Sequence, residues 1–193
     1  MADIQNSPPH RAITGPDTSA QKIRDGEFIA DCTRSELRFT AKAFTLIWVR
    51  GRMPVASGTF RIQDGKLSGI GEVAAAGVST GIAARDWHLR TSHYLHAKRH
   101  PVIRMAVDDA DLVTGTARCV VTVRNTTAPV TMTIGHWEVV DGELHLEAAV
   151  ELDRSPFPML PPLAGVSRKV RVELIVVARL ICPRRLQLDH FLQ

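Results

Sequence analysis

The stretch Ile134-Gly135-His136-Trp137-Glu138-Val139-Val140-Asp141-Gly142-Glu143-Leu144-His145-Leu146-Glu147-Ala148-Ala149-Val150-Glu151-Leu152 decides the fold. After Asp141-Gly142, the apolar Leu144, Leu146, Ala148, Val150 and Leu152 take one face, and Glu143, His145, Glu147 and Glu151 the other. A period of two over this length is a strand with one buried face. Asp-Gly between alternating runs predicts a two-residue hairpin, because both turn residues accept positive φ. Upstream, Val130, Met132 and Ile134 point one way, whereas Trp137 and Val139 need the opposite parity. The slip falls at Gly135-His136 and predicts a β-bulge there.

The same grammar runs outward. Leu37, Phe39 and Ala41 alternate with Arg38, Thr40 and Lys42. Phe60 and Ile62 lead into a second Asp-Gly at Asp64-Gly65, and Val170, Val172, Leu174 and Val176 form a late run. Strands are predicted at 27–32, 35–44, 55–63, 66–79, 102–109, 112–124, 129–140 and 143–153, with 169–180 as a ninth candidate. The first two read as one bent strand. Alternation with tight turns means antiparallel pairing in a sandwich or barrel. Only 82–90 has helical spacing, with Thr80 as its expected N-cap. Pro156, Pro158, Pro161 and Pro162 make 154–168 a loop. Residues 1–26, rich in Pro, Ser, Asp and Gln, read as a flexible tail, and 181–193 as a C-terminal tail.

Composition narrows the function classes. With 45% hydrophobic and 23% charged residues, the chain is that of an ordinary folded domain, and a formal charge of +4 is a weak basic bias. Cys32, Cys119 and Cys182 are too far apart for a metal knuckle and odd in number, which fits reduced buried thiols in a cytoplasmic protein. No apolar run is long enough for an integral membrane segment, and no secretory signal is evident. Aromatic residues, at 5%, do not interleave with cations on a strand, which argues against nucleic acid as a partner. Gly77-Val78-Ser79-Thr80-Gly81 matches a nucleophile elbow, but that motif belongs to a parallel α/β sheet. For His88, His93, His96 and His100, Pro101 ends any helix and no nearby Cys, Asp or Glu completes a zinc set at ligand spacing, so neither metal nor cofactor is expected.

Thr80-Gly-Ile-Ala-Ala-Arg85-Asp86-Trp87-His88-Leu89-Arg90, followed by His93-Tyr94-Leu95 and His100-Pro101, resembles the signature of the YceI-like family. Supporting matches, in order, are Ser35-Glu-Leu-Arg-Phe39, the arginine–glycine turn Val49-Arg50-Gly51-Arg52, Thr122 to Val130, and Asp153-Arg154-Ser155-Pro156-Phe157. The resemblance covers about residues 27–180. It implies an all-β, antiparallel, eight-stranded lipocalin-like extended barrel with one short helix near the barrel mouth. It also implies binding of an isoprenoid, a quinone-like lipid or a related amphiphile inside the barrel; a carrier or store, not an enzyme, is expected, because the apolar strand faces offer no polar constellation for catalysis. Asn125 and Pro158 stand where the family has glycine, and Ala43 where it often has histidine.

Residues Gly69, Gly71, Ala74, Ala75, Ala76 and Gly77 are expected to leave volume inside such a barrel. The ligand-binding candidates are Phe39, Phe44, Phe60, Val78, Met105 and Ile134, with Trp87, Leu89 and Tyr94 as a lid. Arg85 and Asp86 are expected to pair and pin the helix, the alternative being that Arg85 meets a lipid headgroup. Two other readings stay open: a stress or interaction protein with a filled barrel, and a lipid-modifying hydrolase using Ser79. Oligomeric state, a homodimer included, is not legible.

Overall fold

The computed structural model describes residues 25–44, 47–159 and 165–181. Most of both predicted tails, Cys182, Pro161 and Pro162 lie outside the described residues. The strands are β1 (Gly26–Ala30), β2 (Glu36–Ala43), β3 (Ile47–Gln63), β4 (Lys66–Ala74), β5 (Val102–Asp111), β6 (Thr116–Val123), β7 (Thr126–Val140), β8 (Glu143–Asp153) and β9 (Val166–Ile181), with one helix, α1 (Ala83–Arg90). Every pairing is antiparallel, and β3 pairs with β4 to close the sheet. Both β1 and β2 lie between β3 and β9: β1 against Thr59–Ile62, and β2 against Ile47–Pro54. They form one bent stave, so nine segments make an eight-stranded closed barrel.

The bend between β1 and β2 keeps its hydrogen bonds. Ser35 Oγ donates to Val177 O (3.1 Å) and accepts from Val177 N–H (3.0 Å), replacing the ladder where the backbone turns away. Both Asp-Gly turns have positive φ, at Asp64 and Gly65 and at Asp141 and Gly142. The register of β7 on β8 shifts between Ile134 and His136, the bulge the parity slip predicts.

Four expectations need correction. β4 ends at Ala74, and Ala75–Gly77 form a 3-10 turn in place of a strand running to residue 79. α1 is entered at Ile82 without a side-chain cap, because the Thr80 hydroxyl is engaged by Asp86. Val49-Arg50-Gly51-Arg52 is not a turn; it lies inside β3, which starts eight residues earlier than the alternation predicts. Cys32 is exposed, whereas Cys119 is buried and its thiol is pushed up to about 11, chiefly by burial.

One end of the barrel is sealed by Phe28, Ile62, Ala110, Leu112, Leu144 and Ala178, all almost fully buried. Trp137 closes this plug by donating its indole N–H to Leu112 O (2.9 Å). The volume expected over Gly69 is taken by the Phe60 ring, whereas Gly71 faces open space beside it. A Cβ at Gly69 would lie 2.9 Å from Phe60 Cδ1 and 2.3 Å from Thr59 O, and one at Gly71 3.9 Å from Phe60 Cζ. Backbone oxygen cannot retreat as a flexible side chain can. Gly69→Ala is therefore expected to cost about 3 kcal/mol or more, read as a drop in thermal midpoint.

Candidate ligand-binding cavity

The opposite end of the barrel is open. It carries the connections 75–101 and 124–125, residues 154–159, and the paired ends of β2 and β3. Between them opens a cavity of about 480 Å³, the size of a small-molecule site. The inward residues of β2, β5, β6, β8 and β9 line it, among them Leu37, Ile103, Val121, Val150, Val170 and Val172. These are half-buried, not buried, because the space they face is empty of side chains. A much smaller apolar void of about 30 Å³ lies beneath, and Phe60, Met105, Met132, Leu174 and Val176 border both spaces. The barrel is thus filled below this partition and hollow above it, which corrects the filled-barrel reading for its upper half.

Polar side chains in the lining are few: Ser57 and Glu72 on the wall, and Arg85, His88, Tyr94 and Arg154 at the mouth. Glu72 accepts from Ser57 Oγ (3.0 Å) and from Arg104 (2.7 Å). The Arg104 hydrogen bond, more than any other influence, holds its carboxyl below the usual range. Arg154 is buried and donates to Ser167 O (2.8 Å) and Val166 O (3.0 Å); burial pulls its guanidinium below the ordinary value.

The helix is tied to the mouth through Thr80. Asp86 accepts from Thr80 N–H (2.7 Å) and from its hydroxyl. Arg85 donates to Thr80 Oγ1 (2.7 Å) and Thr80 O (3.0 Å). Arg85 and Asp86 do not form the direct pair expected of them; Thr80 stands between. The sequence gives no hint of a second clamp. Arg124, at φ 51°, donates to Ser92 O (2.9 Å), Tyr94 O (3.0 Å) and Pro158 O, and so joins three mouth connections. Asn125 also holds a positive φ, 67°, which asparagine tolerates better than most residues.

Phe39, Phe44, Phe60, Val78, Leu89, Tyr94 and Met105 all line the cavity, as does Arg85. Ile134 lies below the partition and lines only the small void. Trp87 is 68% exposed on the outer face of α1 and outside the lining. Ser79 is also outside the lining; its backbone N–H and C=O bond those of Arg52. The four histidines form two edge-to-face pairs, His88 with His93 and His96 with His100.

A closed barrel with this helix-bearing mouth matches the YceI-like domain over residues 28–178. The chain belongs to the YceI-like family. Among solved structures it is similar to BcnA of Burkholderia cenocepacia, with TM-score 0.68 and 13% identity over 77% of this chain and 98% of that one. It is similar to a polyisoprenoid binding domain from Saccharophagus degradans implicated in plant cell wall breakdown, with TM-score 0.60 and 14% identity over 82% and 100%. A mutant YCEI protein of Campylobacter jejuni gives TM-score 0.59 and 16% identity over 69% and 86%. No curated protein matches the chain by sequence. At these identities the structural likeness speaks for the fold of this YceI-like domain.

Proposed function

We propose that this YceI-like protein binds, stores or carries an isoprenoid or related amphiphilic lipid, with the chain inside the barrel and the headgroup at the mouth. The observation that carries this reading is the open, almost wholly apolar cavity of about 480 Å³. Each methylene buried there is worth about 0.8 kcal/mol, so ten give about 8 kcal/mol, against ~0–1 kcal/mol for an exposed ion pair. Apolar fit therefore dominates affinity. Phe39, Phe44, Phe60, Val78, Leu89 and Met105 would touch the chain. Arg85, His88 and Tyr94 offer donors to an oxygen-bearing headgroup, for which a quinone is the finer candidate. The polyisoprenoid named for the Saccharophagus degradans domain agrees with this chemistry. Binding without turnover is the better reading, because Ser79 lies outside the lining, and the one hydroxyl–carboxylate contact in it, Ser57 to Glu72, ends on a carboxylate that Arg104 holds below its usual range and so makes a weak base.

The test is organic extraction of freshly purified protein followed by mass spectrometry, then titration of the delipidated protein with geranylgeraniol. A chain lipid in the extract and saturable binding are expected. An empty extract together with no binding of geranylgeraniol would overturn the reading.

A further inference from the structure

Five of the most exposed large apolar side chains gather at the mouth: Phe44, Ile47 and Trp48 on the β2–β3 hairpin, and Ile82 and Trp87 at α1, each between 45% and 68% exposed. Two of them, Phe44 and Ile47, also line the cavity, so the apolar rim is continuous with its interior. Cations stand among them. Lys42, Arg50, Arg85, Arg90, Lys98 and Arg99 all lie at this end, and Lys42 Nζ sits 5.6 Å from the centroid of the Trp48 ring. Among the described residues, none of the six lies at ion-pair distance from a carboxylate. Arg61, Arg104, Arg118 and Arg179, along the staves and toward the sealed end, are each paired, as are Arg168, Lys169 and Arg171 where β8 and β9 reach the mouth. The one acid of the α1 connection, Asp86, is buried, whereas the turns of the sealed end carry Asp64 and Asp141. The barrel is therefore polarised along its axis, basic at the open mouth and acidic at the plug.

We propose that the mouth is a docking surface for anionic lipid bilayers. Tryptophan and branched apolar side chains insert at the headgroup level, and the cations around them, none in an ion pair with a carboxylate, meet anionic phosphates. Docked this way, the cavity opens directly onto the membrane, and a chain lipid passes between bilayer and barrel without crossing water. A second copy fits this surface poorly, because mouth-to-mouth contact sets like charges against each other. That role in loading rests on the lipid-binding reading above; the docking itself rests on the rim.

The test is co-sedimentation of the full chain with phosphatidylcholine vesicles, with and without phosphatidylglycerol, beside geranylgeraniol titration in solution. Wild type is expected to sediment with the anionic vesicles and to be released by salt. Trp48→Ser combined with Trp87→Ser is expected to weaken vesicle binding about a hundredfold, and Lys98→Glu with Arg99→Glu about tenfold or more. Val113→Ser, on the sealed end, should leave it unchanged. The proposal is overturned if wild type ignores anionic vesicles, if it binds duplex DNA in their place, if the double tryptophan variant binds as wild type does, or if that variant merely converts a dimer to a monomer. Vesicle binding without geranylgeraniol uptake would sink the lipid-binding reading and leave docking intact; uptake without vesicle binding would do the reverse.

Discussion

Phe60→Ala is expected to lengthen the lipid chain the barrel accepts while costing about 3 kcal/mol of stability. The ring is buried, borders both the mouth cavity and the void beneath it, and rests on Gly58, Gly69 and Gly71. Its partners in the partition are Met105, Met132, Leu174 and Val176. Losing a buried phenyl ring removes its transfer free energy and leaves a cavity, a cost of ~3–5 kcal/mol when neighbours do not collapse. The glycines beneath have no side chains to move in. The thermal midpoint should fall by roughly 10 °C. In return, the space of about 480 Å³ gains the ring's volume and runs into the void of about 30 Å³. Competition between geranylgeraniol and the longer solanesol reads the outcome: the variant should favour solanesol by about tenfold more than wild type does, one to two further methylenes' worth of burial. Val172→Trp provides the opposite sign. It projects from β9 into the cavity and should abolish binding of both alcohols while the protein still melts cooperatively. Unchanged chain preference in Phe60→Ala would show that the partition does not gauge length.

How much of this was legible follows from where side chains alternate. β2, β7, β8 and the two Asp-Gly hairpins could be read because each has large apolar residues on one face and mostly polar ones on the other. Even the Gly135-His136 bulge shows as a break in parity. The first half of β3 hid itself. Its inward residues include Gly51 and its outward ones Trp48, which blurs the alternation, and Pro54 interrupts a strand pattern. That proline is tolerated because Arg52 bonds Ser79 on the side where β4 has already peeled away, and a Cβ at Gly77 would strike the Pro54 ring at 2.5 Å. The site was half legible. Inward phenylalanines and Met105 could be placed from parity, but depth along the barrel could not, which is why Ile134 falls below the partition. Trp87 looked like a lid because large aromatics are usually covered, yet α1 turns it outward. Arg124 gave no signal, since three carbonyls from distant connections are visible only once the chain is folded.

Asp86→Asn is expected to lower stability at neutral pH and to lose that penalty in acid. Asp86 is buried and takes two hydrogen bonds from Thr80, the backbone N–H and the hydroxyl. The Thr80 bond is the leading reason its carboxyl titrates below the usual range, with the fields of Arg90 and Arg85 adding to it and burial opposing. A carboxyl lowered in the folded state contributes stability that is complete above its unfolded value of about 3.9 and fades as pH falls through the folded one. Wild type and Asp86→Asn should therefore differ at pH 7 by about 1–2 kcal/mol and converge below roughly pH 4. Asp86→Ala, which also strands the Thr80 N–H, should cost about 2–3 kcal/mol at pH 7 and retain part of that in acid. Affinity of the folded fraction for geranylgeraniol should hold in Asp86→Asn, because Arg85 still has both Thr80 acceptors and Asp86 does not line the cavity. A gap between wild type and Asp86→Asn that stays constant from pH 7 to acid would mean that the charge of Asp86 does not hold α1 at the mouth, and that shape alone does.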